Sequence, residues 1–145
     1  MATFNFKLER ILNYKQTVET SKKNKFGIVQ RKLHEEEAIL DSYNEYKKTI
    51  IDEKNSANKF KAGYLAMYNA YINDLNDRIK RQQQKVQETE VELEKAKAEM
   101  IEAVKEKKIF EKLKENEYER YTYELKKQEE KLNDTIVSYK AATQQ

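Results

Sequence analysis

Apolar residues recur along most of the chain at steps of three, four and seven, the period of a helix that buries one stripe. A first pattern runs from about Phe4 to Ile51 through Leu8, Ile11, Leu12, Val18, Phe26, Val29, Leu33, Ile39, Leu40, Tyr43, Tyr46 and Ile50. It weakens over Glu19–Lys25, where Lys15 and Lys22 hold seam phases and are expected to lay their stems along a partner helix. Gly27 follows, and a bend or looser packing, not a break, is expected near 20–27. A second pattern runs from about Phe60 to Tyr139. Its stations from Tyr68 to Phe110 alternate steps of four and three: Tyr68, Ile72, Leu75, Ile79, Gln82, Val86, Thr89, Leu93, Ala96, Met100, Ala103, Lys107 and Phe110. After Phe110 two steps of four in succession make a stutter, which locally unwinds a supercoil.

Between the two patterns lies DEKNSANKFKAG, residues 52–63, the densest cluster of turn and cap formers in the chain, with Ser56 or Asn58 as possible caps of the second helix. The pattern therefore predicts an all-α fold: an antiparallel two-helix coiled-coil hairpin with a longer second helix, spanning residues 1–145 as one domain. Helix one covers about 4–52, the turn about 53–62 and helix two about 63–140. A turn near residue 57 would set Phe4 beside about residue 110, Tyr43 opposite about 71 and Tyr46 opposite about 68. Some 30 residues of the second helix would then overhang, with Tyr118, Tyr121, Leu125, Leu132 and Ile136 still apolar. A lone helix in water has no reason to keep such a stripe, so the overhang either folds back or is covered by another protein; the second is favoured.

The stretch YLAMYNAYINDLNDRI, residues 64–79, has a broader apolar face than one seam consumes. Tyr43, Tyr46, Tyr68 and Tyr71 would gather near the closed end. They either fill a wider core there or form a partner-binding flank, for which tyrosine is well suited.

Composition agrees with long helices. Charged residues make up 38% of the 145, proline is absent, and Gly27 and Gly63 are the two glycines. The net charge of +3 is unevenly spread: residues 1–35 are basic and 36–77 acidic. A basic first third suggests an acidic partner, but the alternation of blocks argues against nucleic acid. With no cysteine, disulfide and thiolate chemistry are excluded. No apolar run approaches the roughly 20 residues of a membrane span, and the N-terminus has no signal-peptide core, so a cytoplasmic protein is expected.

The single histidine, His34 in KLHEEE, reads as solvated or salt-bridged; with no second His and no Cys, neither a zinc site nor a nucleophilic triad can be assembled. Nor is there a glycine-rich phosphate loop. No enzyme, no cofactor and no small-molecule substrate are expected. Three classes remain: an interaction protein bridging larger partners, a passive spacer or tether, and a nucleic-acid or membrane-surface binder. For the last, FNFKLERILNYKQ (4–16) is the one amphipathic candidate. The tyrosine-rich tip and the apolar overhang count against a spacer.

The chain resembles the FliJ family of the flagellar type III export apparatus. The resemblance lies in the opening Phe4, Phe6, Leu8, Ile11 and Leu12, in YNEYKK (43–48) and YNAYINDLNDRI (68–79), and in EKKIFEKLKENEYERYTYELKKQEEKLND (106–134). It implies a coiled coil like the stalk of rotary ATPases, non-enzymatic, which contacts the export ATPase ring, the membrane-embedded export gate and export chaperones. Its place would be the inner face of the cell membrane at the flagellar base. The family's gate-contacting surface, carried onto the matching stretches, falls on Ile39, Tyr46, Tyr71 and Leu75, with Tyr43 beside them and with Arg78 and Gln82 where the surface continues. Lys7, Arg10 and Lys15, with Tyr118, Tyr121 and Leu125 of the overhang, are the expected contacts of the ATPase ring.

Overall fold

A computed structural model describes residues 3–56 and 62–144. Among them there are two elements, α1 (Glu9–Ser56, 48 residues) and α2 (Ala62–Thr143, 82 residues), and no strand. The helices run antiparallel and pack side by side, the second being the longer. Of the expected turn, residues 57–61, including Asn58, lie outside the described residues. Residues 53–56 still belong to α1, and Ala62 opens α2. Ser56 therefore ends the first helix and does not cap the second; its hydroxyl donates to the Asp52 carbonyl one turn back.

The chain divides into two compact units, Ser21–Ile101 and Met1–Thr20 with Glu102–Gln145. In the Ser21–Ile101 unit the seam follows the heptad closely. On α2 the residues Leu65, Tyr68, Ile72, Leu75, Ile79, Gln82, Val86, Thr89, Leu93, Ala96 and Met100 are all buried or half-buried, in steps of three and four. On α1 the corresponding row is Lys22, Phe26, Val29, Leu33, Glu36, Leu40, Tyr43, Lys47, Ile50 and Lys54. Glu36, Lys47 and Lys54 thus hold seam phases, while the apolar Ile39 and Tyr46 fall outside them, each more than 40% exposed. Gln82 shows how a polar residue is tolerated in the seam: its amide donates to the Glu36 carbonyl oxygen at 2.9 Å and to the Glu36 carboxylate. Buried polar groups persist where their hydrogen bonds are made.

Cross-helix contacts fix the register. Lys54 Nζ meets Asn69 Oδ1 at 3.0 Å, Lys32 meets Glu92 at 3.4 Å, and Lys22 and Lys25 meet Glu99 at 3.2 and 3.3 Å. Facing residues therefore sit about seven to ten positions farther along α2 than a turn centred on residue 57 requires. Tyr43 is not opposite Tyr71; it lies beside Arg78, Arg81 and Gln82. The physical reason is that α1 remains helical to Ser56, so the reversal starts later than the turn formers at 52–56 suggest. Gly27 leaves no break, since α1 continues through it.

In the unit of Met1–Thr20 with Glu102–Gln145, the helix start also differs from expectation. Residues 3–6 are not helical and α1 begins at Glu9, whose amide donates to the Phe6 carbonyl at 3.2 Å. Phe6 and Leu12 are buried, and Ala103 is buried on α2. Ile11 projects to the flank; Lys15 and Glu19 hold the seam phases after Leu12. Glu19 is buried and accepts from Lys107 Nζ at 2.7 Å, with Glu111 3.5 Å from the same ammonium. That hydrogen bond to Glu19 raises the Lys107 pKa above its ordinary value, against the opposing cost of desolvation. At the open end the Phe4 ring stacks edge-on against Tyr118 and tilted against Tyr121, with centroids 5.3 and 5.5 Å apart. Phe4 thus meets residues 118–121 and not 110, the same shift of register.

Candidate partner-binding surfaces

Heptad geometry sorts the leftover apolar side chains. In an antiparallel pair, the positions just before one of the two seam rows on each helix line a common flank. On α1 this track holds Lys25, Lys32, Ile39, Tyr46 and Glu53; on α2 it holds Tyr71, Arg78, Lys85, Glu92 and Glu99. The bridges Lys25–Glu99 and Lys32–Glu92 establish that the two tracks face each other. Hydrogen bonds from Lys22 first, then from Lys25, hold the Glu99 carboxyl below its usual range.

Of the five residues expected at the gate-contacting surface, Ile39, Tyr46 and Tyr71 lie on this flank and are 41%, 54% and 52% exposed. Leu75 is in the seam at 4%, and Tyr43 is a half-buried seam residue. The breadth of the 64–79 face thus has a concrete origin. Ile72, Leu75 and Ile79 serve the seam, while Tyr64, Met67 and Tyr71 are left exposed beside it. The sequence reading passed over a notch of about 320 Å³ on this unit, lined by Tyr43, Arg78, Arg81, Gln82 and Lys85. Its signal was present in RIKRQQQKVQ (78–87), a run of α2 with four cations and no carboxylate.

The open end separates its expected residues differently. Lys7 and Arg10 are exposed, and neither forms an ion pair within the described residues. Lys15 is engaged with Glu106 at 2.8 Å and Lys114 with Glu9 at 3.0 Å. Tyr121 is half-buried against Phe4, Tyr118 is 51% exposed, and Leu125 is 41% exposed. A groove of about 550 Å³ runs between Phe4, Lys7, Arg120, Tyr121 and Leu125. From residue 122 through 144 every residue is exposed, Leu132, Ile136, Val137 and Tyr139 included.

His34 is 70% exposed and lies 3.8 Å from Glu37. Among the described residues no His, Cys, Asp or Glu side chains group in threes to hold a metal ion, and no helix is long and apolar enough to cross a membrane.

A family model described as the flagellar FliJ protein matches residues 4–145. No curated protein matches the chain. Among solved structures, a candidate YscO homolog, CT670, from Chlamydia trachomatis is similar in fold: the TM-score is 0.50 at 22% identity, over 92% of this chain and 93% of that one.

Proposed function

Because the chain belongs to the flagellar FliJ family, a family of flagellar export, we propose that it is a non-enzymatic stalk component bridging the export ATPase ring and the membrane-embedded export gate. In that role it promotes delivery of export substrates and their chaperones, at the inner face of the membrane at the flagellar base. The observation that supports bridging is that apolar side chains are left over at two separate places on α2 for separate reasons. Tyr71, with Ile39 and Tyr46 of α1, stands beside a seam already filled. Leu125, Leu132, Ile136 and Tyr139 belong to a stripe that is exposed along its length among the described residues. A passive spacer needs neither.

In this reading Ile39, Tyr46 and Tyr71 dock the gate, while Leu75 and Tyr43 support them from the seam. Lys7 and Arg10, with Tyr118, Leu125 and the exposed C-terminal stripe, engage the ATPase ring. Lys15 and Tyr121 contribute through their internal partners, Glu106 and Phe4.

The test separates the two ends. Tyr46→Ala with Tyr71→Ala is expected to weaken binding to the gate's cytosolic part by at least about tenfold, as loss of aromatic anchors does, with helicity by circular dichroism unchanged. Unaltered affinity removes the flank from the interface. Truncation after Tyr121 is expected to abolish stimulation of the ATPase while gate binding persists. Full stimulation by the truncated chain shows that the overhang is dispensable.

A further inference from the structure

The flank of the Ser21–Ile101 unit changes character along its length. Lys25 and Lys32 face Glu99 and Glu92, and each cation is answered by a carboxylate across the seam. Stepping on by seven residues in the same register, Lys85 comes opposite Ile39 and Arg78 opposite Tyr46. The cations continue but their carboxylates do not. Arg78 is held by Asp74 of its own helix at 3.1 Å, and Arg81 reaches back to the Asp77 carbonyl at 3.4 Å. Neither Arg81 nor Lys85 has an ion-pair partner among the described residues, and the Tyr43 hydroxyl has no hydrogen-bond partner there. These groups line the notch of about 320 Å³. Its seam-side wall is fixed, because the Gln82 amide is spent on Glu36.

We infer that this notch receives the carboxylate of an acidic side chain from a partner polypeptide, whose neighbouring apolar residues lie on Ile39 and Tyr46. The inference deepens the gate-docking reading and rests on it for the partner's identity. Charge complementarity selects the occupant. Two cations without an ion-pair partner, a third paired within its own helix and a phenolic donor line the notch, which is bordered by apolar surface. Guanidinium and ammonium donors bind carboxylate through charge-assisted hydrogen bonds. A nucleic-acid backbone would need cations repeated along the groove. Here the track beyond Lys85 turns to Glu92 and Glu99, which repel phosphate.

The probe is a twelve-residue peptide carrying two adjacent glutamates between leucines, titrated into the full-length, isotope-labelled protein. The expected result is saturable shifts of the Arg81 Nε–H and Lys85 ammonium signals. Replacing the glutamates by glutamines, or introducing Arg81→Glu with Lys85→Glu, is expected to weaken binding at least about tenfold, the size of one lost charge-assisted contact. Both residues are exposed, so the helix pair should survive the change, which circular dichroism checks. Equal binding of the glutamine peptide, equal binding by the charge-reversed protein, or tighter binding of a single-stranded oligonucleotide overturns the inference. The gate's cytosolic part, tested on the same proteins, tells the two readings apart. Loss through Tyr46 and Tyr71 but not through Arg81 and Lys85 leaves the flank standing and removes the acidic anchor. If the wild-type protein does not bind the gate, the docking reading falls, and the peptide alone decides the notch.

Discussion

Leu75 and Leu132 are the same residue on the same helix, each at a station of an apolar repeat, yet one is 4% exposed and the other 62%. Around Leu75 the seam is complete, and apolar surplus appears only on its flank. Around Leu132 the stripe itself is bare. The difference teaches that an apolar repeat states how a helix can be covered, not by what. Within residues 65–100 the chain supplies its own cover; over 122–144 every residue is left exposed. The sharpest way to break this comparison is by truncating both leucines to alanine. Leu75→Ala is expected to cost about 2–4 kcal/mol of stability, transfer and cavity together. Leu132→Ala is expected to change it by less than about 0.5 kcal/mol, as exposed substitutions do. Urea unfolding followed by circular dichroism reads both. A comparable loss at Leu132 would mean that the stripe is covered by the chain itself or by a second copy.

The same contrast explains what the sequence could and could not disclose. All 13 stations from Tyr68 to Phe110 are buried or half-buried, because α2 keeps a nearly unbroken four–three alternation. The seam of α1 was legible only in part. Choosing apolar residues selects Ile11, Ile39 and Tyr46, which lie on the flank, and skips Glu19, Glu36 and Lys47, which lie in the seam. A seam glutamate becomes intelligible only when Lys107 or Gln82 is seen across from it, and that pairing depends on register. Register in turn depended on where α1 ends. Helix persistence to Ser56 moved every facing pair and dissolved the expected cluster of Tyr43 with Tyr71. The flank of Ile39, Tyr46 and Tyr71 survives that shift because a step of seven preserves it. The run RIKRQQQKVQ signals the basic stretch from one helix, but its cations are left unanswered only because of which carboxylates are missing from the other.

Gly27 sharpens the comparison from inside the paired region. It is an interior residue of α1, its backbone φ is not positive, and a Cβ built there meets nothing within 4 Å. Being in the paired stretch therefore does not make it a packing residue. Gly27→Ala is expected to raise stability by up to about 1 kcal/mol, the difference in helix propensity, with no change in binding at either surface. A destabilised variant would show that the backbone near 27 must depart from helix to work. Gly63, at the second position of α2, should give a smaller gain because helix ends fray.

The smallest effects are the pH limbs, and they too belong to the paired regions only. The Glu99 carboxyl is depressed in the folded protein by hydrogen bonds from Lys22 and Lys25. Its stabilisation is present above the ordinary value of 4.5 and is lost as pH falls through the lower folded value. Lys107 is raised by its hydrogen bond to Glu19, so its contribution is complete below the ordinary 10.5 and is lost as pH rises through the higher folded value. Both groups are accessible to solvent, so each limb is shallow. Thermal unfolding across this range should fall off at both ends. Glu99→Gln should flatten the acid limb and Glu19→Gln the alkaline one, each without touching the other. The chain truncated after Tyr121 should keep both limbs unchanged, because the partners of Glu99 and Lys107 all lie outside residues 122–144. A truncation that alters either limb would place part of the exposed stripe in contact with the paired helices.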